Sequence, residues 1–310
     1  MSSDLWVITS YFNPARYTTK RRNFDAFMAG MKEVGANVLV IEMAFGETPF
    51  ELEPSDGVIQ FRGSGVMWQK ERLLNVAAAR LPPSCRKIAW VDADIIFEET
   101  DWIERTSEAL ESYAVVQPFS QALRLNRENR DDEGAGFYES FASVFVRNPS
   151  MAKTSRHHGH TGFAWSARRE LFERCGLYDA CISGGGDHLM AHAFAASIAS
   201  SPCVHYTFGG ADRYAEHFVR WGKAARDLVG GRIGVVAGQI RHLWHGELAE
   251  RSYHTRERHF RTLGFDPDAH LKHDENGMFE WSAEAPAELR AWAQNLFASR
   301  NEDGEQVRGR

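Results

Sequence analysis

The sequence predicts an α/β fold: a mostly parallel β-sheet flanked by helices, with further helices at its C-terminal end. Three observations lead there. Over roughly the first hundred residues, short apolar runs alternate with stretches of helical periodicity. The segment "KIAWVDADIIFEET" (87–100) sets two carboxylates, Asp92 and Asp94, between two apolar runs, as at the carboxyl end of a buried strand. The composition, 43% hydrophobic and 25% charged over 310 residues, is that of an ordinary globular chain with ample core material.

Each element has its own signal. "LWVITS" (5–10) is a short apolar strand. Residues 18–34 place Phe24, Phe27, Met28, Met31 and Val34 at helical spacing, with Thr18 or Thr19 available as a cap. "NVLVIEMAF" (37–45) and "GVIQFR" (57–62) are further strands. "VMWQKERLLNVAAARL" (66–81) is a helix stopped by Pro82 and Pro83. Strands at 88–91 and 95–97 enclose the aspartates. A helix at 100–112 and a strand at 113–119 follow, then a charged, glycine-bearing loop at 121–135. "GFAWSARRELFERCG" (162–176), a glycine loop at 183–186, a helix from about Asp187, a strand over 233–246 and a helix after 283 complete the chain. The charged end "NEDGEQVRGR" is expected to fray. With no internal repeat or low-complexity linker, the reading is one domain over 1–265 and a helical extension and tail over 266–310.

Several function classes lose support at once. A formal net charge of −6 argues against general nucleic-acid binding. The four cysteines (Cys85, Cys175, Cys181, Cys203) form no CxxC pair and read as reduced, consistent with a cytoplasmic protein. "MSSDLWVITSYF" lacks the build of a signal peptide, and no apolar run approaches the ~20 residues of a membrane span. GxSxG, GxxxxGK[ST] and HExxH are all missing from the sequence.

Four constellations carry chemistry. Two carboxylates one residue apart can both reach one hard divalent cation; a pair of turn aspartates is the bland alternative, made less apt by the apolar runs on both sides. In "ISGGGDHLMAHAF" (182–194), glycines including Gly185 and Gly186 allow close backbone approach at a helix start, and Asp187 and His188 follow; a simple N-cap is the alternative. "IRHLWHGELAERSYHTRERHF" (240–260) offers His242 and His245 near a strand end, then a basic stretch with Arg251, Tyr253, Arg256 and Arg258, which alone could be a solvated helix. "SYFNPARYTTKRRNF" (10–24) offers Tyr11, Phe12 and Tyr17 for stacking and Arg16, Lys20, Arg21 and Arg22 for phosphates, or a covered sheet end and a solvated helix face. The histidines of "SRHHGHTGF" (155–163) match no standard zinc spacing and read as loop residues, with His160 a substrate-contact candidate.

In order and spacing these motifs resemble nucleotide-sugar glycosyltransferases of the GT-A fold, galactosyltransferase-like members in particular. "WVDADIIF" resembles their DxD strand, and "MWQKERLLNVAAARL" the helix before it. "GHTGFAWSARRELFERCGLYD" is similar to the Thr-Gly-Gly-x-x-x-Ser/Arg-Arg stretch ending in Gly-Phe-Asp. "GGGDH" stands where many members carry Gly-Gly-Glu-Asp, and "HLWHG" where a late metal-binding histidine is usual. The resemblance spans about residues 5 to 262.

The resemblance implies an enzyme that moves a sugar from a nucleotide-diphosphate sugar, UDP-linked by preference, to an acceptor hydroxyl. Asp94 would ligate Mn²⁺ or Mg²⁺ bridging the diphosphate, and Asp92 would contact ribose or metal. His245, preferred for the glycine after it, or His242 would supply the late ligand. Thr9, Tyr11 and Arg16 would hold the nucleotide, Gly162 and Trp165 would line the sugar pocket, and Asp187 would be the acidic residue at the transferred sugar or acceptor. Asp187 replaces the usual Glu and His188 the usual Asp, which leaves inversion or retention open. The acceptor is a glycan in the first instance, with a lipid-linked glycan, a protein or a modified nucleic-acid base as alternatives. A metal-dependent sugar nucleotidyltransferase is the rival enzyme, although "SYFNPARYTTK" lacks the glycine such a signature needs. A catalytically degenerate sugar-nucleotide-binding module is the non-enzymatic rival.

Overall fold

The structure is a computed structural model and describes residues 4–132, 135–153, 157–198, 204, 207–209, 212–247 and 259–304. Its main sheet has seven strands: β1 (Leu5–Tyr11), β2 (Asn37–Phe45), β3 (Val58–Gly63), β4 (Lys87–Val91), β6 (Val115–Gln117), β9 (Ala164–Arg168) and β10 (Ile233–Val235). They lie in the order β10-β6-β9-β4-β1-β2-β3. All neighbours are parallel except around β9, which runs antiparallel to both β4 and β6. The α/β class and the mostly parallel sheet are thus as the sequence predicts.

The strand sequences explain their positions. β1 and β4 are central and covered on both faces, which is why they read as continuous apolar runs rather than alternating ones. Ile8, Ile88 and Trp90 point to one face, where Leu73, Leu74 and Ala77 of α2 (Lys70–Ala79) pack with Leu189 and Phe194 of α6 (Gly186–Phe194). Leu5, Val7, Ala89 and Val91 point to the other, against Phe27 and Met31 of α1 (Thr18–Glu33) and Trp102 and Leu110 of α3 (Trp102–Ser112).

The two runs that enclose the aspartates belong to different sheets. After Val91 the chain leaves the main sheet, and β5 (Ile95–Phe97) joins a four-stranded one in the order β5-β11-β7-β8. Its other members are β7 (Gln121–Arg124), β8 (Gly136–Glu139) and β11 (Gln239–His242). β5 pairs antiparallel with β11 and sets Ile95 opposite His242; the Leu243 amide then donates to the Asp94 carbonyl at 2.9 Å. This register brings the late histidines to the aspartate turn.

Several local expectations change. Residues 121–124, expected in a loop, form β7, because Ala122 is buried and the polar run begins only beyond it. The helix expected over 66–81 starts at Lys70; Gln69 instead exchanges two side-chain hydrogen bonds with the Phe279 backbone. The strand expected over 233–246 is two, β10 in the main sheet and β11 in the small one. The sequence reading passes over β8, α4 (Phe141–Arg147) and α7 (Asp212–Val229).

α1 is capped neither by Thr18 nor by Thr19. Its first amides are held by the Asp303 carboxylate, at 2.9 Å from Thr18 N and 2.8 Å from Thr19 N. Residues 301–304 therefore do not fray, and Glu302 is buried; residues 305–310 lie outside the described residues. α9 (Ala287–Ala298) leads there, with Phe297 against Phe12 and Trp68 and its carbonyl accepting from the Tyr17 hydroxyl at 2.9 Å. Among the described residues Cys85, Cys175 and Cys181 form no disulfide; Cys203 lies outside them. Among the described residues no helix is long and apolar enough to cross a membrane.

Candidate active site

A cavity of ≈ 330 Å³ opens at the carboxyl ends of β1 and β4, where an open α/β sheet offers a crevice to ligands. Its floor is the aspartate turn. On one side stands a triad: His245 Nε2 lies 3.3 Å and His242 Nε2 3.7 Å from Asp94 Oδ2, and the two Nε2 atoms are 2.8 Å apart. His242 and His245 are both buried. His242 Nδ1 is buried with no hydrogen-bond partner among the described residues. His245 is backed by Glu302, whose Oε1 lies 4.0 Å from its Nδ1. Burial alone would raise the Glu302 pKa, yet Arg300, with Lys20 beyond it, holds that carboxyl well below the usual range.

On the other side the charges are organised by Lys70, at the start of α2. Its ammonium bridges Asp92 Oδ1 at 2.6 Å and Asp187 Oδ2 at 2.8 Å. Burial would lower the lysine pKa, but Asp187 and Asp92 hold it well above its ordinary value. Burial raises Asp92 to about 6, against the pull of Lys70. The next residue, Glu71, is buried beneath the start of α6, and burial pushes its carboxyl up to about 8. Only glycine fits there, since a Cβ on Gly186 would stand 2.6 Å from Glu71 Oε1. Gly184, at φ +81°, presses the loop against Trp68.

The roof is the segment 160–163. Phe163 holds a left-handed backbone, φ +79°, uncommon for a bulky residue. Its carbonyl accepts from the Asp92 amide at 2.8 Å, and its ring lies between those of His160 and His242. Gly162 faces Asp187, whose Oδ2 would be 3.6 Å from an added Cβ.

The structure sorts the sequence candidates. Asp92, Asp94, Asp187, Gly162, His242, His245 and Thr9 line the cavity, as does His160. The Thr9 hydroxyl is committed to the Val91 carbonyl at 2.8 Å, so it ties β1 to β4. Tyr11 points away, buried in a separate cluster with its hydroxyl on Glu51. Arg16 also turns to Glu51 and the Pro49 carbonyl, and Arg21 to Asp25; of that basic run Lys20 lines the cavity. Trp165 is core, 1% exposed and paired across the sheet with Trp90. Gly185 and Gly186 shape the start of α6. His188 faces away from Asp187, toward His158 and His192. Arg251, Tyr253, Arg256 and Arg258 lie outside the described residues.

Sequence reasoning missed Lys70, Arg124, Arg300 and Glu302, all cavity residues. Lys70 and Arg124 carry no motif of their own. Arg300 and Glu302 were hidden in a segment that looks like a charged tail.

No protein-family model matches the chain, and no curated protein matches it. Solved structures do. The catalytic domain of Drosophila beta1,4-galactosyltransferase 7, in complex with xylobiose, is 11% identical over 93% of this chain and 98% of its own, with a TM-score of 0.43. Mannosyl-3-phosphoglycerate synthase from Rubrobacter xylanophilus is 13% identical over 93% and 89%, with a TM-score of 0.38. A putative glucose-1-phosphate thymidylyltransferase from Bacillus anthracis is 8% identical over 76% and 88%, with a TM-score of 0.36. The likeness is loose, and function has to be read from the site itself.

Proposed function

We propose that this protein is a metal-dependent glycosyltransferase that takes a sugar from a nucleotide-diphosphate sugar and places it on an acceptor hydroxyl. The observation that carries this reading is one cavity with a three-donor cation triad on one side and a lysine-bridged carboxylate pair on the other. UDP as the nucleotide and a glycan as the acceptor come from the family resemblance.

The residues fit a divalent cation. One carboxylate oxygen and two imidazole nitrogens converge, each within 4.8 Å of the others, and Glu302 supports His245 from behind as outer carboxylates support metal-bound histidines. Two imidazoles favour Mn²⁺ over Mg²⁺, which prefers oxygen ligands and retained waters. Asp94, His242 and His245 would hold the ion. When bound, it would neutralise charge developing on the departing diphosphate.

The chain's own groups supply the rest. Lys70 adds a second cation on the cavity wall, between the aspartate turn and Asp187. It would hold Asp92 and Asp187 apart in fixed positions and offer its ammonium to phosphate oxygens. Asp187, which lies against Gly162, would accept the proton of an acceptor hydroxyl if the sugar inverts. Phe163, Trp68 and Phe12 give the cavity an apolar wall.

A panel of nucleotide sugars, screened for Mn²⁺-dependent donor hydrolysis with and without chelator, tests the reading. Hydrolysis of one donor, lost on chelation and in Asp94→Asn, supports it. Condensation of a sugar 1-phosphate with a nucleoside triphosphate would instead establish the nucleotidyltransferase. Donor binding with neither reaction would leave a binding module.

A further inference from the structure

His158, His188 and His192 meet outside the cavity, on the far side of the 160–163 segment. His188 and His192 are one turn apart on α6, so both rings leave the same helix face; His158 comes from the segment before β9. The ring centroids are 4.9, 5.1 and 5.4 Å apart, at 64–71° to one another, so the rings meet by their edges and do not stack. One ring nitrogen of each lies within 4.8 Å of those of the other two.

From these facts we infer a second metal site, in which His158, His188 and His192 bind a borderline divalent cation such as Zn²⁺ through three imidazole nitrogens. Several observations support it. The Thr161 hydroxyl stands 3.5 Å from His188 Nδ1 and the Ser197 hydroxyl 3.5 Å from His192 Nδ1. Each hydroxyl can accept a hydrogen bond from Nδ1–H and so leave Nε2 as the lone-pair nitrogen, as outer partners do for metal-bound histidines. His158 Nδ1 is buried with no hydrogen-bond partner among the described residues, a cost that a metal bond or a proton acceptor would remove. Burial first, then mutual repulsion, holds His188 at about 3 and His192 at about 2, so both are neutral and able to ligate near neutral pH. Phe141 packs on His158 and His192, and such a wall would be satisfied by apolar side chains if packing were the sole demand. With no carboxylate in the group, Mg²⁺ and Ca²⁺ are poor occupants. A fourth ligand can enter from the groove that His157, His158 and Arg147 line.

The site has a consequence for the cavity. His188 follows Asp187 directly, and Thr161 lies between His160 and Gly162. A cation there would tie the start of α6 to the cavity roof and fix Asp187, which makes the three histidines positioning residues rather than catalytic ones. The inference does not rest on glycosyl transfer, since its test reads metal binding.

The test uses the full-length Asp94→Asn/His245→Gln protein, in which the cavity triad is disabled. Metal-free protein is titrated with Co²⁺ and Zn²⁺, following the visible bands of tetrahedral Co²⁺ and the melting temperature. The expected result is one equivalent of Co²⁺ with tetrahedral bands, displaced by Zn²⁺, and a melting temperature raised by Zn²⁺. His158→Gln or His188→Gln in that background should lower the affinity by at least about 100-fold. His158 is only half-buried, so its variant keeps the test open if a helix variant fails to fold. No bound equivalent in the parent, or equal affinity in a folded His158→Gln or His188→Gln variant, would overturn the site.

Discussion

Replacing Lys70 by Met tests the electrostatics of the cavity directly. The substitution keeps most of the aliphatic stem and removes the ammonium that lies 2.6 Å from Asp92 and 2.8 Å from Asp187. Breaking a fully buried pair by deleting one partner costs roughly 3–5 kcal/mol. Asp92 and Asp187 keep 29% and 21% side-chain exposure, so the lower end, about 3 kcal/mol, applies at pH 8. The loss must depend on pH, and its sign follows from the pKa of Asp92. Burial already raises that carboxyl from 3.8 to about 6, and Lys70 is the main group pulling it down. Without the lysine it titrates higher still, so the folded variant holds a proton over a window starting near pH 4 and reaching past pH 6. A group that binds protons more tightly in the folded state loses stability as pH rises through that window. At pH 5 the variant carries a neutral Asp92, so that carboxyl's share of the loss is absent and the destabilisation should be smaller than at pH 8. Urea denaturation of both proteins at pH 5 and pH 8 measures this. Equal destabilisation at the two pH values would refute the bridging role of Lys70. A Lys70→Met/Asp187→Asn double variant that recovers none of the pH 8 loss would refute the claim that the carboxylates left without a partner cause it.

Three further outcomes are expected. Asp94→Asn should remove Mn²⁺-dependent turnover by about 100-fold or more while shifting stability by less than about 1 kcal/mol, since the turn carboxylate is not a packing element; calorimetry of Mn²⁺ binding and a thermal melt check both halves. Asp187→Asn should lower turnover by about 100-fold or more with donor affinity kept, if the residue is a general base; a parallel fall in donor affinity, measured on the same protein, would make it a donor-sugar contact. Asp303→Ala should cost about 1–2 kcal/mol near neutral pH through loss of the cap on α1, seen as a lower urea midpoint; burial would raise the Asp303 carboxyl, but the bonds from Thr19 and Thr18 hold it below its ordinary value, so the cost should shrink as pH falls through the acid range.

The fold was legible because its central strands obey a simple rule. β1, β2 and β4 are covered on both faces and announce themselves as unbroken apolar runs, while α1 and α2 carry helical spacing. What escaped was set by partners distant in sequence. β7 and β8 are short and half-exposed, and gain their identity only from pairing with each other and β11. α1 shows the same limit from the other side, because its cap comes from Asp303, 285 residues away from Thr18. Local rules propose Thr18 or Thr19; the tertiary contact supplies the oxygen instead.

The site divides along the same line. Asp92, Asp94, Asp187, His242 and His245 were visible because a carboxylate beside an apolar run, or a histidine at a strand end, is locally out of place, and the structure brings all five to one cavity. Lys70 was not, because a lysine at the start of a helix is unremarkable until one sees two carboxylates within 2.8 Å of it. Tyr11 and Arg16 failed for the opposite reason: their chemistry suited a nucleotide, but Glu51, on a segment with no signal of its own, takes both. The tail makes the point most sharply. A run of polar residues near a chain end reads as solvated, and the reading assumes that each charge faces water. Arg300 satisfies Glu302 at 2.6 Å, and that internal pair lets a charged segment enter the core and stand behind His245. Charge in a sequence marks what needs a partner; whether that partner is water or protein is decided by the fold. For this chain the last residues described belong to the cavity as much as the aspartate turn does, so truncation before Arg300 should weaken divalent-cation binding as well as α1, and a truncated protein that binds Mn²⁺ as tightly as the full chain would remove Glu302 from the site.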